Sequence, residues 1–293
     1  MVLKTLSADH KASFAQIRKY GNILAEMNPG SMAKVSVNPM FERFFLSFHA
    51  MQMGFFKGCR PLIGLDGCHL SSEFGGVLLS AFAIDTDGGI FPLAYCGVLK
   101  AIKNEWPKAG NRYCLRHISA NFNANSKFSS MDINWMLWKA VEEGNEVRFK
   151  QVMERIKGVS VEAYQWLMNI PIERWARHRF DTRIKSDHVT NNISECFNSR
   201  IKDDRDKPIL TLMEIIMRKV MVRLSEKWVK GEKLSDTITP TARKKLNKAE
   251  NDVRNLIVYH GRGQYHETCD SYGQRCLVKL SEMSCDCGVW QIS

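Results

Sequence analysis

Ten residues, Pro61-Leu-Ile-Gly-Leu-Asp-Gly-Cys-His-Leu70, constrain this chain more than any other stretch. The run is apolar at both parities around one carboxylate, Asp66. A strand with that pattern belongs inside a sheet covered on both faces. An ionised carboxylate in such a place is costly unless it is paired or holds a cation. Asp66 is therefore a site residue or the corner of a turn, because Asp66-Gly67 is also a hairpin dipeptide. The stretch alone leaves both readings open.

The surroundings extend the strand reading. Ser71-Ser-Glu-Phe-Gly-Gly76 is a turn, residues 77–84 are a second strand, and Asp85-Thr-Asp-Gly-Gly89 is a turn suited to positive φ. Residues 90–96 form the third strand. Turns this short predict an antiparallel meander. The second strand is apolar at both parities except for Ser80, so helices must cover both faces.

Outside the meander the spacing is mostly helical. Residues 1–57 are expected to be a helical lead-in. Phe14, Ile17, Ile23 and Leu24 share a face, Asn28-Pro-Gly-Ser31 breaks the helix, and residues 40–51 are a second apolar helix candidate. Residues 112–115 read as a further strand. Helices are expected over 131–142 and 145–156, and over 161–168 with Ser160 as N-cap. A helix over 192–201 and a long one opened by a Thr211-Leu-Met-Glu214 capping box follow. The expected domains are 1–57, 58–233 and 234–293. The last carries a charged helix and short β-like runs such as Arg275-Cys-Leu-Val-Lys-Leu280.

Charge narrows the partner. The 293 residues carry a formal charge of +11, and the pI is about 9.2. That balance favours a polyanion, with nucleic acid first among candidates. The longest apolar stretches break within about a dozen residues, too short for a bilayer span. The first ten residues lack a signal-peptide pattern. An intracellular protein without a membrane partner is expected, and its nine cysteines are expected to be reduced.

Four constellations carry possible chemistry. Asp66 with Glu195 offers two carboxylates for one or two divalent ions, although Asn192-Ile-Ser-Glu195 has capping-box spacing and Glu195 then only closes a helix start. Cys114-Leu-Arg-His117 offers two ligands where a structural zinc site wants four, and a buried Cys beside a loop His fits equally well. Cys285-Asp-Cys287 is half a zinc site, with His260, His266, Cys269 and Cys276 as upstream candidates in no recognised spacing. Arg174, Arg177 and Arg179, with Arg200, Lys202 and the Arg243-Lys-Lys245 run, can meet phosphates or simply form solvated faces.

Seven of these motifs stand in one order: Gly58-Cys-Arg-Pro-Leu-Ile-Gly-Leu-Asp-Gly67, Gly75-Gly-Val-Leu-Leu79, Phe91-Pro-Leu-Ala94, Arg112-Tyr-Cys-Leu-Arg-His117, Pro171-Ile-Glu-Arg-Trp-Ala176, Thr190-Asn-Asn-Ile-Ser-Glu-Cys-Phe-Asn198 and Cys285-Asp-Cys-Gly-Val-Trp-Gln291. In that order they resemble plant Mutator-like element (MuDR-type) transposases, from about residue 14 to the C-terminus. The resemblance implies an α/β fold with a ribonuclease-H-like mixed sheet flanked by helices. It also implies Asp66 as the first metal-binding carboxylate and Glu195 as the last, holding Mg or Mn. Cys114 and His117 match the family's Cys-x-x-His signature. Cys285 and Cys287 match the first half of a SWIM-type zinc finger. DNA is the implied partner and the nucleus the implied compartment.

Two departures qualify what is implied. The family's helical crossover, fourth strand and second catalytic Asp have no counterpart, since Phe91-Pro-Leu-Ala-Tyr-Cys96 runs straight into Gly97-Val-Leu-Lys-Ala-Ile102. A parallel neighbour for the first strand needs a crossover of about a dozen residues or more, and residues 97–111 hold no apolar strand-length run. The finger also lacks its Cys-x-His half. The expectation is a transposase-derived nucleic-acid-binding protein without catalysis, whose first strand lacks its central partner. The alternatives are an active DDE-type transposase or nuclease whose gene reading lost an exon, and a decayed element copy.

Overall fold

A computed structural model describes residues 9–38, 41–96, 111–124, 130–184, 186, 188–189 and 197–292. The chain divides into two compact units, Met1–Pro107 with Asn192–Arg243, and Lys108–Asn191 with Lys244–Ser293.

The first unit is a five-stranded antiparallel sheet with helices. Helix α1 (His10–Met27) starts at Asp9, whose carboxylate accepts from the Lys11 amide, and ends at Asn28 as the breakers require. Strands β1 (Met32–Val37) and β2 (Phe41–Ser47) follow, then α2 (His49–Gly58), β3 (Cys59–His69), β4 (Val77–Asp85) and β5 (Ile90–Cys96). The order is β1-β2-β5-β4-β3, with every described pairing antiparallel. The α/β class stands. The parallel pairing that a mixed sheet needs is not found among the described residues, where β3 is the terminal strand.

The meander falls where the sequence placed it. The helical lead-in holds over α1 and α2 only, because β1 and β2 between them pair antiparallel and join the sheet through Leu46 opposite Tyr95. The run through Phe41, Phe44 and Phe45 is aromatic, and aromatic side chains fit a half-buried pleat better than a helix. The alternation Lys34-Val35-Ser36-Val37 was the overlooked strand signal.

One core fills the space between sheet and helices. Ile17, Tyr20 and Leu24 of α1 and Leu212, Ile216 and Val220 of α7 (Ile209–Glu232) meet Leu46, Leu78, Phe82 and Tyr95 of the sheet. Each fully buried large side chain contributes roughly 1.5–3 kcal/mol of transfer free energy. The expected capping box at Thr211 is absent. Helix α7 begins at Ile209 behind Pro208, and the Leu210 amide is capped by the hydroxyl of buried Ser13 from α1 at 3.0 Å. Glu214, freed from capping, is buried and accepts a 2.7 Å hydrogen bond from the Tyr20 hydroxyl. Pro208 stands at the N-cap, where its carbonyl accepts from the Leu212 amide at 2.9 Å, and the tertiary contact from Ser13 replaces a local side-chain cap.

The second unit joins a helical cluster to a small sheet. Helices α3 (Leu115–Ala124), α4 (Met131–Glu142), α5 (Glu146–Val159) and α6 (Val161–Met168) pack around Phe122, Leu137, Ile156, Leu167 and Trp175. Ser160 caps α6 by accepting from the Ala163 amide. The strand expected over 112–115 is not formed, because Leu115 opens α3 and its buried side chain falls in step with Ile118 and Phe122. After α8 (Pro240–Val253), strands β6 (Ile257–His260), β7 (Tyr265–Cys269), β8 (Arg275–Lys279) and β9 (Ser284–Cys285) form an antiparallel sheet in chain order, followed by the short helix α9 (Val289–Ile292).

Candidate functional site

Asp66 sits in the middle of β3, paired with Ser80 of β4, and not at a turn. Register then extends the row: Ser80 faces Tyr95 of β5, and Tyr95 faces Leu46 of β2. Pleat parity puts all four on one side of the sheet, the side covered by α1 and α7. Asp66 thus enters the covered face, half-buried, while Ile63 and Leu65 at the other parity are 45% and 41% exposed.

The carboxylate has a partner from far along the chain. Asn198 donates from Nδ2 to Asp66 Oδ2 at 2.8 Å. Arg205 in turn donates from Nη2 to the Asn198 carbonyl at 2.7 Å, and its charge opposes the burial that pushes the Cys68 thiol upward. Three buried oxygens of these residues have no hydrogen-bond partner: Ser80 Oγ, Tyr95 OH and Asn198 Oδ1. Burial alone holds the Tyr95 phenol far above its ordinary range. An unpartnered buried oxygen costs about 1–3 kcal/mol, so the sheet carries a polar seam in an otherwise apolar layer.

Glu195 lies outside the described residues, as do the residues near 97 where the family's fourth strand is expected to be missing. Among the described residues, Asn198 is a hydrogen-bond donor to Asp66. Hard divalent cations want several oxygen ligands, carboxylates foremost. Asp66 contributes one carboxylate toward such a set, and no reaction step follows from it.

The basic residues divide between the units. In the first, Arg200 and Lys202 are exposed, and Lys219 donates to the Arg200 carbonyl while pairing with Asp204 at 2.6 Å. Arg200, Lys219 and Arg223 border a recess walled by Phe82 and Phe197. Its volume of about 20 Å³ admits a water and excludes a nucleotide. In the second unit, Arg174 donates to the Asn111 carbonyl and carries the Tyr113 amide on its own carbonyl, so it ties two segments together. Arg177 is half-buried with an unpartnered Nε, and Arg179 is exposed. Between them, His178 packs on Phe149, and burial, then the Arg179 charge, depress its pKa.

Cys114 and His117 share no metal cluster among the described residues. Cys114 precedes α3 with its carbonyl taken by the Ile118 amide, and His117 is exposed on the helix. The Cys285-x-Cys287 pair fares differently. With Cys276 of β8 its sulfurs lie within 4.8 Å of one another, a donor set that can hold a metal ion. Burial, and then the hydrogen bond with Cys285, push the Cys287 thiol upward. Sequence spacing left Cys276 as one of four upstream candidates, which strand register singles out, and missed Asn198 and Arg205, because a contact across 132 residues brings them to the site. No helix among the described residues is long and apolar enough to cross a membrane. No family model, no curated protein and no solved structure matches the chain.

Proposed function

We propose that the protein is a nucleic-acid-binding protein derived from a Mutator-like transposase, without strand-cutting chemistry, that works on DNA in the nucleus. The observation that carries the reading is the Asn198–Asp66 hydrogen bond. It joins the two motif segments that the resemblance pairs in one site, residues 58–67 and 190–198. The strand order β5-β4-β3, with the carboxylate midway along β3, is compatible with the first three strands of a ribonuclease-H-like sheet.

The sequence argues against catalysis. The family's second catalytic Asp has no counterpart where residues 91–96 run straight into 97–102, and a site short of one carboxylate is a poor cradle for divalent ions. Binding needs only charge, and the chain has +11 of it. Arg200 and Lys202 in the first unit, and Arg174, Arg177 and Arg179 in the second, are the candidate phosphate contacts. The three-cysteine cluster is compatible with a zinc ion.

Incubation of supercoiled plasmid with the full chain and Mg²⁺ or Mn²⁺ tests the absence of cutting. Intact plasmid is expected. Metal-dependent cleavage that is lost in Asp66→Ala would overturn it in favour of an active nuclease.

A further inference from the structure

We propose that Cys276, Cys285 and Cys287 form a three-thiolate site for a thiophilic divalent cation of the zinc class, with Cys276 of β8 as the ligand that completes the Cys-x-Cys pair. The resemblance supplies only Cys285 and Cys287; Cys276 comes from the register of the small sheet. Val278 pairs with Cys285, so Cys276, two residues earlier on the same strand, lies diagonally beside it on the same face. The Cys285 and Cys287 sulfurs stand 3.0 Å apart, and all three lie within 4.8 Å. A tetrahedral ion with Zn–S near 2.3 Å places its sulfurs roughly 3.8 Å apart, between those two distances.

The thiols are held by a scaffold that leaves the sulfurs pointing together. Asp286, between the two cysteines, clamps β8 next to Cys276. Its amide donates to the Leu277 carbonyl at 3.0 Å, and its Oδ2 accepts from the Leu277 amide at 3.2 Å. Gln291 brackets Cys285 from the other side, donating from Nε2 to its carbonyl at 2.9 Å and accepting from its amide at 3.3 Å. The Gly288 amide closes the turn on the Cys285 carbonyl, with φ at +74°, and the Val289 amide hydrogen-bonds the Cys287 sulfur. Asn145 anchors the turn to the helical cluster by donating to the Asp286 carbonyl at 2.7 Å. Oriented amides on sulfur and a locked ligand turn are the outer-shell support that metal thiolates use.

The other candidate ligands of the small sheet are excluded by position. Cys269 pairs with Arg275 and so lies on the opposite face from Cys276. His266 is separated from Cys285 by Val278 on the intervening strand, and its Nδ1 is engaged with His260 Nδ1 at 3.2 Å. Three protein thiolates leave the ion a fourth position for water or an added donor.

The test uses the reduced, metal-free full chain titrated with Co²⁺ or Cd²⁺, followed by thiolate-to-metal charge-transfer absorption and then displacement by Zn²⁺. One equivalent is expected. Cys276→Ser should lower the intensity by about a third, one sulfur in three, and weaken affinity roughly tenfold or more. Cys269→Ser, on the far face, should bind as the parent does. The circular dichroism of Cys276→Ser must match the parent, and Cys276→Ala serves as the second variant if it does not. No stoichiometric charge transfer, equal binding by the Cys276 variants, or equal loss in Cys269→Ser would each overturn the site. So would a Cys285–Cys287 disulfide that persists under the reducing conditions. The proposal does not depend on nucleic-acid binding, and the titration contains none.

Discussion

Asn198 reaches back 132 residues to donate a hydrogen bond to the carboxylate of Asp66 in the middle of an apolar strand. Asn198→Leu removes this donor from a half-buried carboxylate. The loss expected is about 1–3 kcal/mol of stability, read by urea denaturation. No change in midpoint would mean that Asp66 is solvated without Asn198. Tyr20 and Glu214 make a second such pair, at 2.7 Å between a phenol and a buried acid. Tyr20→Phe keeps the volume and strands the acid, with Arg218 3.7 Å away and itself largely exposed. A loss of about 1–3 kcal/mol is expected there too. His178 supplies the pH dependence. Its folded pKa is depressed by burial, so below about pH 6.5 the unfolded chain takes up a proton that the folded chain refuses. Stability is fully present above that pH and falls as the pH is lowered through it. His178→Gln should flatten this part of the thermal-stability profile between pH 7 and 5.

At the scale of elements, local pattern predicted what local chemistry decides. The three strands of the meander, the Ser160 cap and the helices over 131–142 and 161–168 stand where spacing put them, because turn glycines and 3.6-residue periodicity act within a few residues. The failures were tertiary. Residues 40–51 read as helix by apolarity, yet the pairing of β2 with both β1 and β5 makes most of them strand. Glu214 read as a cap, yet Pro208 and the distant Ser13 start α7. The polar seam of Ser80, Tyr95 and Asn198 was invisible, because cross-strand register and a fold-wide contact assemble it. Ser13→Ala tests the borrowed cap. It removes the acceptor for the Leu210 amide and is expected to cost about 1 kcal/mol. Early exchange of the first amides of α7, followed by hydrogen exchange, would locate the loss at that end. Gly288 is the turn on which the Cys-x-Cys segment depends, with positive φ and its main chain against that of Gly144.

For the whole molecule, the formal charge of +11 sets the choice of partner. Forty-two Lys and Arg against 31 Asp and Glu leave a chain suited to a polyanion. Among the described residues, Asp66 has an amide partner in Asn198. Phosphate neutralisation releases counterions, so a DNA-binding protein loses affinity steeply as salt rises. The direct measurement is a fluorescence-anisotropy titration of duplex DNA with the full chain at increasing salt. If the protein binds DNA as proposed, log K falls linearly with log salt, with a slope reflecting several phosphate contacts and made shallower by Arg200→Gln with Lys202→Gln. A flat salt dependence, or no binding at low salt, would contradict the proposal.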